Sequence, residues 1–303
     1  MQSPTQILAS LTTETRNPAS EHIDTLSTVD MLRIINDEDS RIPAAVAAEL
    51  PHIASAVDAI ASRFAQGGRL FYIGAGTSGR LGVLDASECP PTFSVPPTLV
   101  QGLIAGGDAA LRLSSEHSED SPKEGASDLA AAGFATTDTL VGIAASGRTP
   151  YVLGALLHAR SLGALTIGLS CVADSPVALR ADIAITPVTG PEVITGSTRM
   201  KAGTATKLVL NMISTGVMVR TGAVYGNLMI NVKPTNDKLL DRAQRILMAA
   251  TGCDRPTATH LLIEGGSVKV AIAMHLLSLD RAAAEERLAR ADGSLAKALI
   301  PNA

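Results

Sequence analysis

The chain has 303 residues, a formal net charge of −4, 46% hydrophobic residues and only 2% aromatic ones. That length allows one large domain with smaller pieces, or two domains, and the mildly acidic balance without any basic block argues against nucleic acid as a partner. With no Trp, the interior has to be packed from Ala, Val, Leu, Ile and Met, which suits helices laid against a sheet.

Cys89, Cys171 and Cys253 are scattered and odd in number, so neither a disulfide framework nor a zinc site is indicated, and a reducing cytoplasm fits. The start, Met1-Gln-Ser-Pro4, has no charged region followed by an apolar one, so no signal peptide is expected. The most apolar later segment, 208–219, is interrupted by Asn211, Ser214 and Thr215 and falls short of the ~18 residues that a membrane span needs. A soluble protein with no membrane partner is the expectation.

Residues 1–40 are polar and irregular until Ser27-Thr-Val-Asp30, where a helix is predicted with Met31, Leu32, Ile34 and Ile35 facing inward and Asn36–Asp39 closing it. Over 43–66, Val46, Leu50, Ile53, Val57, Ile60 and Phe64 recur at helical spacing, which predicts one long helix stopped by Gly67-Gly68. Leu70–Ile73 then reads as a buried strand. It ends in Gly74-Ala-Gly-Thr-Ser-Gly79, where glycines let the backbone approach a ligand and Thr77 and Ser78 add hydroxyl donors. A helix is predicted from about Arg80, and its first unpaired N–H groups favour an anion such as a phosphate. Pro90 and Pro91 are expected to stop it, which leaves Glu88 at its C-terminal end, where the dipole disfavours an anion. The same glycines match the dinucleotide pattern G-x-G-x-x-G. The acid expected about 20 residues on has no clean candidate, however, because the next apolar run reaches Asp108 well past that spacing. A dinucleotide site and a purely structural turn remain open beside a sugar-phosphate site.

Four further short apolar runs follow, 99–105, 139–144, 164–169 and 182–186, alternating with helical patterns at 122–132, 149–162 and near 175–180. Such alternation predicts a parallel sheet covered on both faces, with ligands at the carboxyl ends of its strands. The third run repeats the first device, with Ser146, Gly147 and Thr149 ahead of a helix that opens on Pro150. Next comes the densest polar loop, about 191–204, with Glu192, Thr195, Gly196, Ser197, Thr198, Arg199 and Lys201. The helix from about Met200 to Arg220 is apolar nearly all round, which fits burial either by a partner subunit or in the centre of one monomer. A turn-rich connector, 222–236, leads to short helices at 237–251, 255–264, 268–277 and 282–291. They carry no catalytic pattern, and His260 and His275 lack metal partners at helical spacing.

Four motifs together resemble the N-acetylmuramic acid 6-phosphate etherases: 74–82, Asp85-Ala-Ser-Glu-Cys-Pro-Pro-Thr92, 142–151 and Thr195-Gly-Ser-Thr-Arg-Met-Lys-Ala-Gly-Thr204. The likeness covers nearly the whole chain, including Arg33-Ile-Ile-Asn-Asp-Glu-Asp39 and Ala250-Thr-Gly-Cys253. It implies a sugar-isomerase (SIS) α/β fold, with a five-stranded parallel sheet between helices. It further implies a helical arm at 1–55, a sugar-phosphate domain at 56–225 and a small helical domain at 226–303. It also implies a cytoplasmic homodimer, with its site near the subunit interface, that needs no cofactor or metal and uses water to split the D-lactyl ether of N-acetylmuramic acid 6-phosphate during cell-wall recycling. Glu88 matches the family's proton donor and Glu119 its second catalytic acid, with Glu116 close by in the same acidic loop. The substrate-binding set is then Gly76, Thr77, Ser78, Gly79, Ser146, Gly147, Thr149, Glu192, Ser197 and Lys201. An aldose–ketose isomerase and a non-catalytic sugar-phosphate sensor remain the alternatives.

Overall fold

The computed structural model describes residues 13–113, 118–232, 234 and 236–300. The chain divides into two compact units, 1–87 with 98–214, and 88–97 with 215–303. This grouping keeps residues expected to form a separate arm with the sheet, and the division falls within two helices.

In the first unit, helix α1 (Thr28–Asp39) starts in the predicted Ser27–Asp30 stretch, the Ser27 hydroxyl accepting from the Asp30 N–H. The expected single helix over 43–66 is two, α2 (Ile42–Ala47) and α3 (Leu50–Ala65). Pro51 explains the break, because it has no N–H to donate to the Ala47 carbonyl one turn back and its ring clashes with that carbonyl.

Strands β1 (Leu70–Gly74), β2 (Val100–Ile104), β3 (Thr139–Ile143), β4 (Leu165–Leu169) and β5 (Ile183–Ile185) form one sheet in the order β2-β1-β3-β4-β5. Every pair is parallel, with Leu70 opposite both Val100 and Thr139. β1 and β3 are buried along their whole length, as a sheet covered on both faces requires. From β1 the chain passes to β2 on one side and returns to β3 on the other. The carboxyl ends of β1 and β3 therefore form a switch point, where crossovers leaving in opposite directions open a crevice.

The helices between these strands are α4 (Gly76–Phe93), α5 (Pro122–Ala131), α6 (Pro150–Ser161) and α7 (Pro176–Arg180), and α8 (Lys201–Arg220) follows the sheet. Helix α4 departs from expectation at both ends. It begins at Gly76 rather than near Arg80, so Thr77 and Ser78 belong to its first turn. It also continues through Pro90 and Pro91 to Phe93. Proline's φ suits a helix, and its missing N–H costs a bond without forbidding a further turn near a helix end; the Ser94 N–H donates to the Pro90 carbonyl at 2.9 Å and closes it. Glu88 therefore lies five residues inside the helix end rather than at it.

The second unit holds a two-stranded hairpin, β6 (Val224–Tyr225) with β7 (Leu228–Met229), and helices α9 (Asp237–Thr251), α10 (Arg255–Gly265), α11 (Val268–Leu277), α12 (Arg281–Arg290) and α13 (Leu295–Ala298). Their apolar faces share a core that includes Leu247, Val268, Ile272, Ala284 and Leu295. Asn236, Asp254, Ser267, Asp280 and Ser294 each cap the helix that follows. Among the described residues no single helix is long and apolar enough to cross a membrane.

Candidate active site

A cleft of about 260 Å³ opens in the first unit, lined by Glu14, Ala75, Gly76, Thr77, Ser78, Glu119, Ala145, Ser146, Thr149, Gly196, Thr198, Gly203 and Thr206. Its walls are the first turn of α4, the loop from β3 into α6, and the loop and first turns of α8. The leading turns of α4 and α8 lie side by side, since a Cβ added to Gly203 would sit 3.5 Å from the Thr77 methyl carbon. The start of α4 thus faces the cavity with the N–H groups of Gly76, Thr77 and Ser78, which have no acceptor in their own helix. Six hydroxyls, from Thr77, Ser78, Ser146, Thr149, Thr198 and Thr206, join them. Thr149 precedes α6 without using its hydroxyl as a cap. Among the described lining residues there is no Lys, Arg or His, and what they offer an anion is oriented N–H and O–H dipoles.

Glu119 is the acid expected in this site that the cleft contains. Its carbonyl accepts from the Tyr151 N–H at 3.0 Å, which fastens the loop to the first turn of α6. Two residues later the Ser121 hydroxyl caps α5 by accepting from the Glu124 N–H at 3.2 Å. Although the residue as a whole is exposed, partial loss of solvent at the cleft wall raises its carboxyl pKa, and the charge of Asp120 pushes in the same direction. Among the described residues no group of three or more His, Cys, Asp or Glu is placed to hold a metal.

The chain is 55% identical over 290 residues to an N-acetylmuramic acid 6-phosphate etherase of Pasteurella multocida, covering 95% of this chain and 96% of that one. It is 56% identical over 294 residues to the etherase of Pectobacterium atrosepticum, covering 97% of each. The chain belongs to the N-acetylmuramic acid 6-phosphate etherase family. Two family models agree, the glucokinase regulatory protein N-terminal SIS domain over 52–160 and the SIS domain over 121–215. Among solved structures, a candidate phosphosugar isomerase of Bacteroides fragilis matches with a TM-score of 0.50 at 20% identity, over 64% of this chain and 92% of that one, and shares the fold.

Against this etherase framework the expected site residues separate into three groups. Gly76, Thr77, Ser78, Ser146, Thr149 and Glu119 line the cleft together. Gly79, Gly147, Glu192, Ser197 and Lys201 do not line it, and most have a visible structural task. Gly79 packs α4 on β1, since an added Cβ would lie 2.6 Å from the Gly74 carbonyl oxygen. Gly147 turns the loop at φ +67° against Ser175. Glu192, 1% exposed, spends both carboxylate oxygens on the start of α8, accepting from the Lys201 N–H at 3.0 Å and the Ala202 N–H at 2.9 Å. The Lys201 ammonium is buried on Glu38. Ser197 helps shape the loop, its N–H donating to the Ile194 carbonyl. The dense polar loop over 191–204 is therefore in large part a cap for α8, while Thr198 and Gly196 supply its cleft-facing surface.

Glu88 makes the third group. It belongs to the second unit, exposed and about three turns beyond Ser78 along α4. Glu116 lies outside the described residues. The reading of motifs missed Glu14 altogether, together with Gly203 and Thr206. Gly203 falls inside the motif at 195–204 without having been singled out, and Thr206 follows it three residues on along α8, whereas Glu14 had no local signal.

Proposed function

We propose that this protein cleaves the D-lactyl ether of N-acetylmuramic acid 6-phosphate with water, yielding N-acetylglucosamine 6-phosphate and D-lactate, in the recovery of cell-wall sugars. The observation that carries this reading is identity of 55–56% with etherases along nearly the full chain. The cleft's chemistry supports it. The substrate's phosphate suits the N–H and hydroxyl cradle at Thr77, Ser78, Ser146 and Thr149, which supplies position rather than bond-making.

In the open-chain sugar the C1 aldehyde acidifies the proton on C2, and the lactyl ether on C3 is a β-leaving group. The Glu119 carboxylate takes the C2 proton, the C2–C3 double bond forms and the C3–O bond breaks, with an acid protonating the departing oxygen to give D-lactate. Water then adds at C3 while C2 regains a proton, which restores the aldehyde chain with a hydroxyl in place of the ether. A carboxyl with a raised pKa is a stronger base than an ordinary one and better matched to a weakly acidic carbon. Glu88 takes the proton-donor role on the motif it occupies. The working enzyme is a cytoplasmic homodimer with the cleft near its interface. The exposed side of α8, with Lys207, Met212, Thr215 and Val219, is in keeping with such an assembly.

The test is to incubate purified protein with the muramic acid phosphate and assay D-lactate, then repeat with Glu88→Gln and Glu119→Gln. Each variant is expected to lose at least ~100-fold in turnover, the low end for a proton-transfer group. Near-normal turnover in either removes that residue from the chemistry. A ketose phosphate in place of lactate means an isomerase, and binding without turnover means a sugar-phosphate sensor.

A further inference from the structure

The N-terminal stretch 13–20 is stitched to the loop that precedes α8. The Asn17 amide donates to Glu38 Oε2 at 2.7 Å and to the Pro191 carbonyl at 3.2 Å, and the Ser20 hydroxyl donates to the Val193 carbonyl at 2.7 Å. Thr13, Asn17 and Ser20 are all buried. Between them Glu14 is exposed and lines the cleft. Gly196 lies beneath it at φ +76°, and a Cβ there would stand 3.3 Å from Glu14 Oε2. Among the described residues the hydrogen bond made by this carboxylate comes from the neighbouring Thr13 hydroxyl, to Oε1 at 3.2 Å. A buried strap thus delivers one carboxylate into the cavity with an oxygen available.

The other polar side chains of the described cleft lining, Glu119 apart, are hydroxyls, which are able to donate. A fully ionised phosphate ester only accepts, so these groups match it. A sugar chain also carries hydroxyl groups and an amide N–H, which donate and need acceptors. Among the described residues of the lining, Glu14 and Glu119 are the two acceptor-only side chains. With Glu119 engaged at C2, Glu14 is left to the sugar's donors.

We propose that Glu14 is a substrate-contacting residue whose carboxylate accepts hydrogen bonds from the hydroxyl groups or amide N–H of the bound sugar, so that the cleft selects a polyhydroxylated phosphate over a bare one. The identity of the sugar rests on the reading under Proposed function. The contact itself is carried by the strap, the cleft and the donor–acceptor count.

The experiment uses the full chain and Glu14→Gln, which keeps the shape and removes the charge, with Glu14→Ala alongside. Two readouts are taken: KM and kcat for lactate release, and the rise in Tm given by glucosamine 6-phosphate compared with inorganic phosphate. Glu14→Gln is expected to raise KM about 10-fold or more, the scale of a lost hydrogen bond to a charged acceptor, with kcat within about 3-fold. It is also expected to lose most of the extra Tm shift of the sugar phosphate while keeping that of inorganic phosphate. Unchanged KM and an unchanged sugar-phosphate shift overturn the proposal. A fall in Tm without ligand, with both ligand shifts lost, also overturns it, because Glu14 then serves folding of the strap. Wild-type protein that gains Tm with the sugar phosphate but releases no lactate defeats the etherase reading alone, and the two Tm shifts still decide the role of Glu14.

Discussion

Lys201 and Glu38 form a buried ion pair, Nζ 2.5 Å from Oε2, with the two side chains 3% and 4% exposed. The residues lie 163 positions apart, so the pair joins α1 to the first turn of α8. Asn17 donates to the same carboxylate oxygen and Arg41 lies 3.0 Å from the other, so the charge is fully partnered.

Removing one member of such a pair leaves the other as an uncompensated buried charge. Lys201→Met is expected to cost about 3–5 kcal/mol, with Glu38→Gln on top of it restoring part of the loss. Burial raises the Glu38 pKa, but hydrogen bonds from Lys201 and Asn17 and the charges of Lys201 and Arg41 outweigh it, and the net shift is downward from 4.5. A depressed carboxylate pKa contributes stability that is complete above the unfolded value and is lost as pH falls through the folded one. Urea unfolding at a series of pH values should therefore show wild-type stability declining below about pH 4.5, with a shallower decline in Lys201→Met. Equal acid sensitivity in the two proteins would show that the pair makes no such contribution.

Glu119 offers a second pH handle. Its raised pKa comes first from desolvation and then from Asp120, so deleting the neighbouring charge moves it back toward an ordinary carboxyl. If Glu119 acts as the base, kcat/KM rises with pH as it loses its proton, and Asp120→Asn should shift that rising limb to lower pH. A limb that stays in place in Asp120→Asn, measured on lactate release, speaks against Glu119 as the group that titrates.

Gly147 gives the third prediction. Its φ of +67° is strained for any residue with a Cβ, and the added atom would fall 2.2 Å from the Ser175 Cβ. Gly147→Ala is expected to destabilise by about 2 kcal/mol or more, from left-handed strain together with overpacking. Because Ser146 and Thr149 share its loop, KM should rise as well. An unchanged urea midpoint would show that the loop yields without cost.

The sheet and its two glycine loops were legible because β1 and β3 are short apolar runs bounded by glycine and polar turns, a signal that survives without tertiary context. The hairpin β6–β7 and the single turn α13 are too short to show a period, and the break at Pro51 interrupts an apolar pattern that stays in phase across it. Within the site, Thr77, Ser78, Ser146 and Thr149 followed from strand–loop–helix grammar. Glu192 and Lys201 do not line the cleft, and a sequence cannot distinguish a carboxylate facing a substrate from one facing the N–H groups of Lys201 and Ala202. Glu14 was invisible for a related reason. Its position depends on Asn17 and Ser20 meeting Pro191 and Val193, residues 174 and 173 positions away.

The cleft draws on five stretches of chain, around residue 14, at 75–78, at 119, at 145–149 and at 196–206. A ribosome must therefore translate past Thr206 before the pocket has all its walls, and no shorter nascent fragment can recognise its ligand through the full set. For the same reason a ligand that touches every wall holds early- and late-made segments together, and its binding free energy adds to the stability of the whole first unit rather than to one loop.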